Sequence, residues 1–150
     1  MSIDKDINQR GFKNEHHRAI VNLIFTYNWT TEQLKQVLEE SGLTLQQFNM
    51  LRILRGSDKP LSTLQIRDRM LDKMSDASRI VDRLVIKGMV KKSTCKTDKR
   101  LVDVTITSKG LEQLTILDGQ EDKMENIVKA LSVAEAKSFN KLLDKIRQSN

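Results

Sequence analysis

The segment "SDASRIVDR", Ser75 to Arg83, sets two arginines four residues apart, and "KTDKR", Lys96 to Arg100, sets three cations around one acid. A guanidinium grips an acceptor pair through two parallel N–H donors, while an ammonium acts as a compact point charge. Both are chemistries for holding anions rather than for moving protons. Between Ser62 and Gly110 stand 12 Lys/Arg against 6 Asp/Glu, and the rest of the chain carries 14 of each, so the whole net charge of +6 falls in one central third. A clustered excess of this kind suits a polyanionic partner better than general solubility does. For any single lysine, a solvated charged surface is the plainer reading.

Nothing comparable supports catalysis. The chain has no Gly-rich phosphate loop, HExxH helix or nucleophile elbow. An enzyme is therefore not expected, nor is a cofactor. His16 and His17 are adjacent and would point about 100° apart on a helix, a poor chelating pair, so no metal site is expected. Cys95 is read as an incidental thiol, and one cysteine makes no internal disulfide. The N-terminus "MSIDKDINQRGFKNEHH" lacks a signal peptide's apolar centre, and no apolar run nears the roughly 20 residues that cross a bilayer. A cytoplasmic chain with no membrane partner is expected. At 150 residues, 38% apolar and 31% charged, it is long enough for one core with helical extensions.

Elements that would carry the basic segments follow from helix punctuation. Thr44/Gln47, Ser62/Gln65 and Ser132/Glu135 stand at capping-box spacing, and Leu43/Phe48 and Leu61/Ile66 are placed as hydrophobic staples around the first two. Six helices are predicted: about Asn14 to Glu40, Leu45 to Arg55, Thr63 to about Leu71, about Ser75 to Lys87, Thr107 to about Ala130, and a last one carrying Phe139, Leu142, Leu143 and Ile146. Gly42 falls just beyond the first helix, where a left-handed cap forms easily, and Gly88 ends the fourth. The first helix exceeds what a small core needs, so part of its apolar face is expected to meet another chain. "MVKKSTC" and "LVDVTIT" switch to a period of two and predict a hairpin, with Val102, Val104 and Ile106 on one face. The fold expected is mainly α with a small β-hairpin wing, a winged helix-turn-helix.

Such a unit places its second short helix in a major groove, with its N-terminal side chains at base edges. With Ala77, Ile80, Val81 and Leu84 turned inward, Ser75, Asp76, Ser78, Arg79 and Arg83 are left outward as candidate major-groove residues, Arg79 first among them. Ser62 and Thr63 open the preceding helix and are candidates for phosphate. Lys96, Asp98, Lys99 and Arg100 form the candidate wing, Arg100 entering a minor groove while Asp98 braces it. Tyr27 and Trp29 are candidates for a small-molecule cleft, although aromatics there more often pack a core or a dimer.

The stretch "SRIVDRLVIKGMVKK", then "TDKR", then "VTITSKG" resembles the MarR-type (multiple antibiotic resistance) regulators of bacteria and archaea. The likeness runs through Arg83-Leu84 ahead of Gly88, through Asp98 and Arg100 in the wing, and through Thr107 and Gly110. Lys99 and Lys92 stand where that family often has arginine, and both keep the charge. The resemblance implies a homodimer held by residues 12–42 and 111–150, with a DNA-binding region at 44–110. It also implies repression at a near-palindromic operator on double-stranded DNA, and release by a small-molecule effector. The competing expectation is a winged-helix module whose basic face binds a protein rather than specific DNA.

Overall fold

The computed structural model describes residues 3–7, 11–94 and 102–148. Among them the order is α1 (Ile3–Asp6), α2 (Glu15–Leu38), α3 (Leu45–Arg55), β1 (Leu61–Ser62), α4 (Thr63–Arg69), α5 (Ala77–Ile86), β2 (Val90–Thr94), β3 (Val102–Ile106), α6 (Ser108–Asp118), α7 (Glu121–Glu125) and α8 (Val133–Arg147). Short 3₁₀ turns at Glu39–Ser41 and Asn126–Val128 extend α2 and α7.

All three capping boxes form, because each needs only residues three apart. Thr44, Ser62 and Ser132 each accept from the third helical amide, while Gln47, Gln65 and Glu135 reach back to the cap. These contacts fix where α3, α4 and α8 begin. Asn14 caps α2 through the amide of His17, and Gly42 ends the helix and its 3₁₀ turn at φ 64°. At about 1.5 Å per residue, α2 is roughly 36 Å long.

Around α3, α4 and α5 sits one apolar core. Met50, Leu51, Ile66, Val81, Leu84, Val104 and Leu114 are completely buried there. The sheet is antiparallel in the order β1-β3-β2, with Leu61 opposite Val104 and Lys92 opposite the same residue on the other side. Strand β1 was not expected. Two residues carry no periodicity, and only β3, some forty positions later, makes them a strand. In β2 only Val90 is buried, and Lys91 to Thr94 are exposed. Val102 is exposed although it shares a face with buried Val104, because the hairpin leaves the body of the protein and runs past the core.

The predicted fifth helix, Thr107 to about Ala130, is instead two. α6 stops at Asp118, and after Gly119 and Gln120 the chain re-enters as α7 against α2. A glycine inside a helix costs roughly 1 kcal/mol relative to alanine, and a carboxylate at a helix C-terminus opposes the macrodipole. What holds Asp118 there is Arg55 of α3, which meets it with two bonds of 2.5 and 3.1 Å. The Arg55 hydrogen bond draws the Asp118 carboxyl below its ordinary value, and the same bond raises Arg55. A carboxylate lowered on folding contributes stability above its unfolded pKa, and loses it as pH falls through the folded value. Both side chains are about a third exposed, so solvent screening limits the pair to roughly 1 kcal/mol. We therefore expect Asp118→Asn to lower stability at pH 7 by no more than that. Wild type and variant should converge in thermal melts as pH falls through the lowered folded-state value of Asp118. A gap that persists in acid would assign the loss to packing.

Candidate nucleic-acid interface

Helices α4 and α5 pack on each other and are joined by a turn that is heavily tied down. The amide of Leu71 donates to Asn49 Oδ1 at 2.9 Å, and that of Met74 to Asp72 Oδ1 at 3.0 Å. The Ser75 hydroxyl donates to the Asp72 carbonyl at 2.7 Å. Helix α5 starts two residues later than expected, at Ala77, with Asp76 as its cap accepting the Arg79 amide at 3.1 Å. Ser75 and Asp76 thus lie on the turn and the cap rather than on the helix, and the Asp76 carboxylate is engaged in local structure.

One face of α5 is sealed. Ala77, Val81 and Leu84 are buried, and Ile80 is half-buried. The opposite face carries Ser78, Arg79 and Arg83, all exposed. Among the described residues neither arginine side chain has an ion-pair or hydrogen-bond partner. Two like charges at i and i+4 repel by a few tenths of a kcal/mol. The nearest acid along the helix, Asp82, is drawn away to Lys92 of β2. A fold that leaves this repulsion in place has a face ready for an anion.

Ser62 closes its capping box, donating its amide to Gln65 Oε1 at 2.9 Å. Thr63, Leu64 and Arg67 of α4 line a groove of about 280 Å³ together with Ser75 to Ser78 at the start of α5. The structure thus brings Thr63, Ser75, Asp76 and Ser78 to one concavity beside Arg79, with Ser62 at its edge. Lys91 and Lys92 stand on the wing strand β2. The wing-tip candidates Lys96, Asp98, Lys99 and Arg100, with Cys95, lie outside the described residues.

Tyr27 and Trp29 are exposed on α2, at 66% and 47%. A second groove, of about 260 Å³, opens further along that helix between Gln33, Gln36, Val37 and Glu40 and, from the α6–α7 junction, α7 and the turn after it, Gln120, Lys123 and Ile127. Neither aromatic lines it. Periodicity alone did not point to these polar residues, because a groove wall of glutamines reads as an ordinary solvated face. Among the described residues, no group of three or more His, Cys, Asp or Glu is placed to hold a metal ion.

Residues 41–101 match the model of the MarR family. Over 131 residues the chain is 25% identical to the HTH-type transcriptional regulator MhqR of Bacillus subtilis, covering 86% of this chain and 89% of that one. Its fold superposes with a TM-score of 0.80 on a MarR-like transcription regulator from Bacillus cereus, at 21% identity, covering 89% and 96% of the two chains. With a mutant of E. coli MarR solved in complex with operator DNA, the TM-score is 0.77 at 26% identity, over 91% of this chain and 98% of that one. These relatives are regulators, not enzymes. In its order of elements, and through residues 41–101, this winged helix-turn-helix is similar to the MarR family of transcriptional regulators.

Proposed function

We propose that the chain acts as a homodimer that recognises a near-palindromic operator in double-stranded DNA and represses transcription from it. The observation that carries the proposal is α5: one face packed on the core, the other presenting Ser78, Arg79 and Arg83 with no described partner for either arginine. Arg79 is the base-reading residue, Ser78 and Arg83 flank it, and Ser62, Thr63 and Ser75 position the backbone. Asp76 contributes by capping the helix. The wing candidates Lys96, Asp98, Lys99 and Arg100 are assigned to the neighbouring minor groove by charge and sequence position alone, Arg100 first among them.

Dimerisation is supported by what the single chain leaves uncovered. Helix α8 buries none of its 15 residues, and Leu142 and Ile146 are 60% and 56% exposed. Ile20, Ile24 and Tyr27 of α2 are exposed as well. Apolar surface on this scale marks an interface. A second copy covering α2, α6, α7 and α8 sets two recognition helices about 34 Å apart, one turn of duplex. An effector entering the groove between α2 and the α6–α7 segment would act on the frame that sets the spacing of the two winged regions. No helix of the described residues is long and apolar enough to cross a membrane, consistent with a cytoplasmic regulator.

One observation favours a protein-binding module instead: Leu71 and Met74 stand almost fully exposed on the turn before α5. Against it, the wing strand presents only polar side chains, Lys91 to Thr94. Duplex fragments selected from the host genome decide the matter. Specific fragments should bind a dimer, and log affinity should fall linearly with log salt, several counterions being released per dimer. A salt-independent or absent interaction with duplex would give the face to a protein partner.

A further inference from the structure

Base reading at the N-terminus of α5 demands that the helix be held from its other end, and that end is fastened unusually well. Gly88 turns the chain at φ 71°, and Met89 donates back to the Leu84 carbonyl at 3.0 Å. The Thr107 hydroxyl donates to the Gly88 carbonyl and Lys109 Nζ to the Lys87 carbonyl, both at 2.8 Å. These contacts satisfy the free carbonyls of the helix end.

Lys87, the capping residue of α5, extends the fastening across the molecule. Its ammonium donates to the carbonyl of Gly42 and, at 3.1 Å, to Gln47 Oε1. Gly42 is the left-handed cap that ends the α2 segment. Gln47 is buried, and the same oxygen accepts the Thr44 amide at 3.2 Å to close the α3 capping box. One cation therefore joins the end of α2, the start of α3 and the end of α5. Arg79 and Arg83 present their charges to solvent, whereas Lys87 directs its own into the protein.

We propose that Lys87 is a positioning residue that sets how α5 is seated against the end of α2, and thereby tunes operator affinity without touching DNA. The chemistry suits the task. A cation at a helix C-terminus is favoured by the macrodipole, and its bonds to neutral oxygens are charge-assisted. Removing it leaves the partly enclosed Gln47 oxygen one donor short, so α5 loses its link to α2 while the core beneath it stays intact. The proposal rests on the DNA-binding reading of α5, and its test separates the two.

Lys87→Met keeps the aliphatic stem and deletes the charge; Lys87→Arg keeps a charge. On a selected operator fragment, Lys87→Met is expected to bind about tenfold more weakly with an unchanged slope of log affinity on log salt. Lys87→Arg should recover most of that loss. In the free protein, amide hydrogen exchange at Gly88 and Met89 should accelerate in Lys87→Met and not in Lys87→Arg. A slope lower by about one with unchanged exchange would make Lys87 a phosphate ligand and overturn the proposal. Unchanged affinity and exchange would overturn it equally. Were the wild type to bind no duplex at all, the regulatory reading would fall, and the exchange measurement would still decide whether the strut exists.

Discussion

Gly110→Ala is expected to destabilise the fold by about 2–4 kcal/mol, more than alanine at any other glycine of this chain. Gly110 lies in the first turn of α6 and is buried, its amide donating to the Thr107 hydroxyl at 3.2 Å. A Cβ at this position would stand 2.4 Å from the Met89 carbonyl oxygen and 2.7 Å from Ile106 Cγ1. Neither neighbour can yield cheaply. The Met89 carbonyl already accepts the Thr107 amide at 3.0 Å, and Ile106 pairs with Val90 in the sheet. The start of α6 would have to withdraw, loosening the Thr107 clamp on the end of α5. Thermal unfolding should show the midpoint falling by roughly 5–15 °C, with poorer operator binding following from the same displacement. An unchanged midpoint would mean that α6 shifts freely against the sheet, and the clamp would then be no clamp.

This contact also separates what the sequence discloses from what it withholds. Thr107 and Gly110 are visible as a spaced pair, yet the reason for the glycine is a carbonyl twenty-one positions earlier that periodicity cannot locate. Helix starts were legible because a cap is satisfied within three residues; α3 occupies the predicted Leu45 to Arg55, and all three boxes close. The outward set Ser78, Arg79 and Arg83 followed from the buried stripe of α5 alone. Helix α1 was missed because four residues show no repeat; Ile3 is buried, and Asp4 is tied to Arg18 at 2.9 Å. The break after Asp118 depends on Arg55, sixty-three positions away, and the link from Lys87 to Gly42 spans forty-five. Tyr27 and Trp29 were suggested by residue type, while the groove on α2 is walled by glutamines that residue type does not recommend. For Gly110, Asp118 and Lys87 the cause is the same: the deciding partner is distant in the chain.

Arg79→Ala should be the most damaging change to recognition that leaves the protein intact. At the third position of α5, Arg79 takes part in the Asp76 cap only through its backbone amide, which alanine retains. Its side chain is exposed, so truncation opens no cavity. Alanine is the better helix former, and relief of repulsion from Arg83 adds a few tenths of a kcal/mol, so the melting temperature should hold or rise slightly. On the proposed role, what is lost is a two-donor grip on a guanine edge, a contact of a kind that discriminates against the wrong base by roughly 1–3 kcal/mol. The ratio of operator to non-specific affinity should therefore fall by about ten- to a hundredfold, measured by titration at fixed salt, while non-specific affinity changes little. Specificity should relax at one base position in each half-site, which a panel of single-base operator variants would locate. Equal weakening on every sequence, with the salt slope reduced by about one, would reassign Arg79 to the phosphate backbone. Base reading by α5 would then fall to Ser78 and Arg83, since the exposed Asp82 on that face is paired with Lys92.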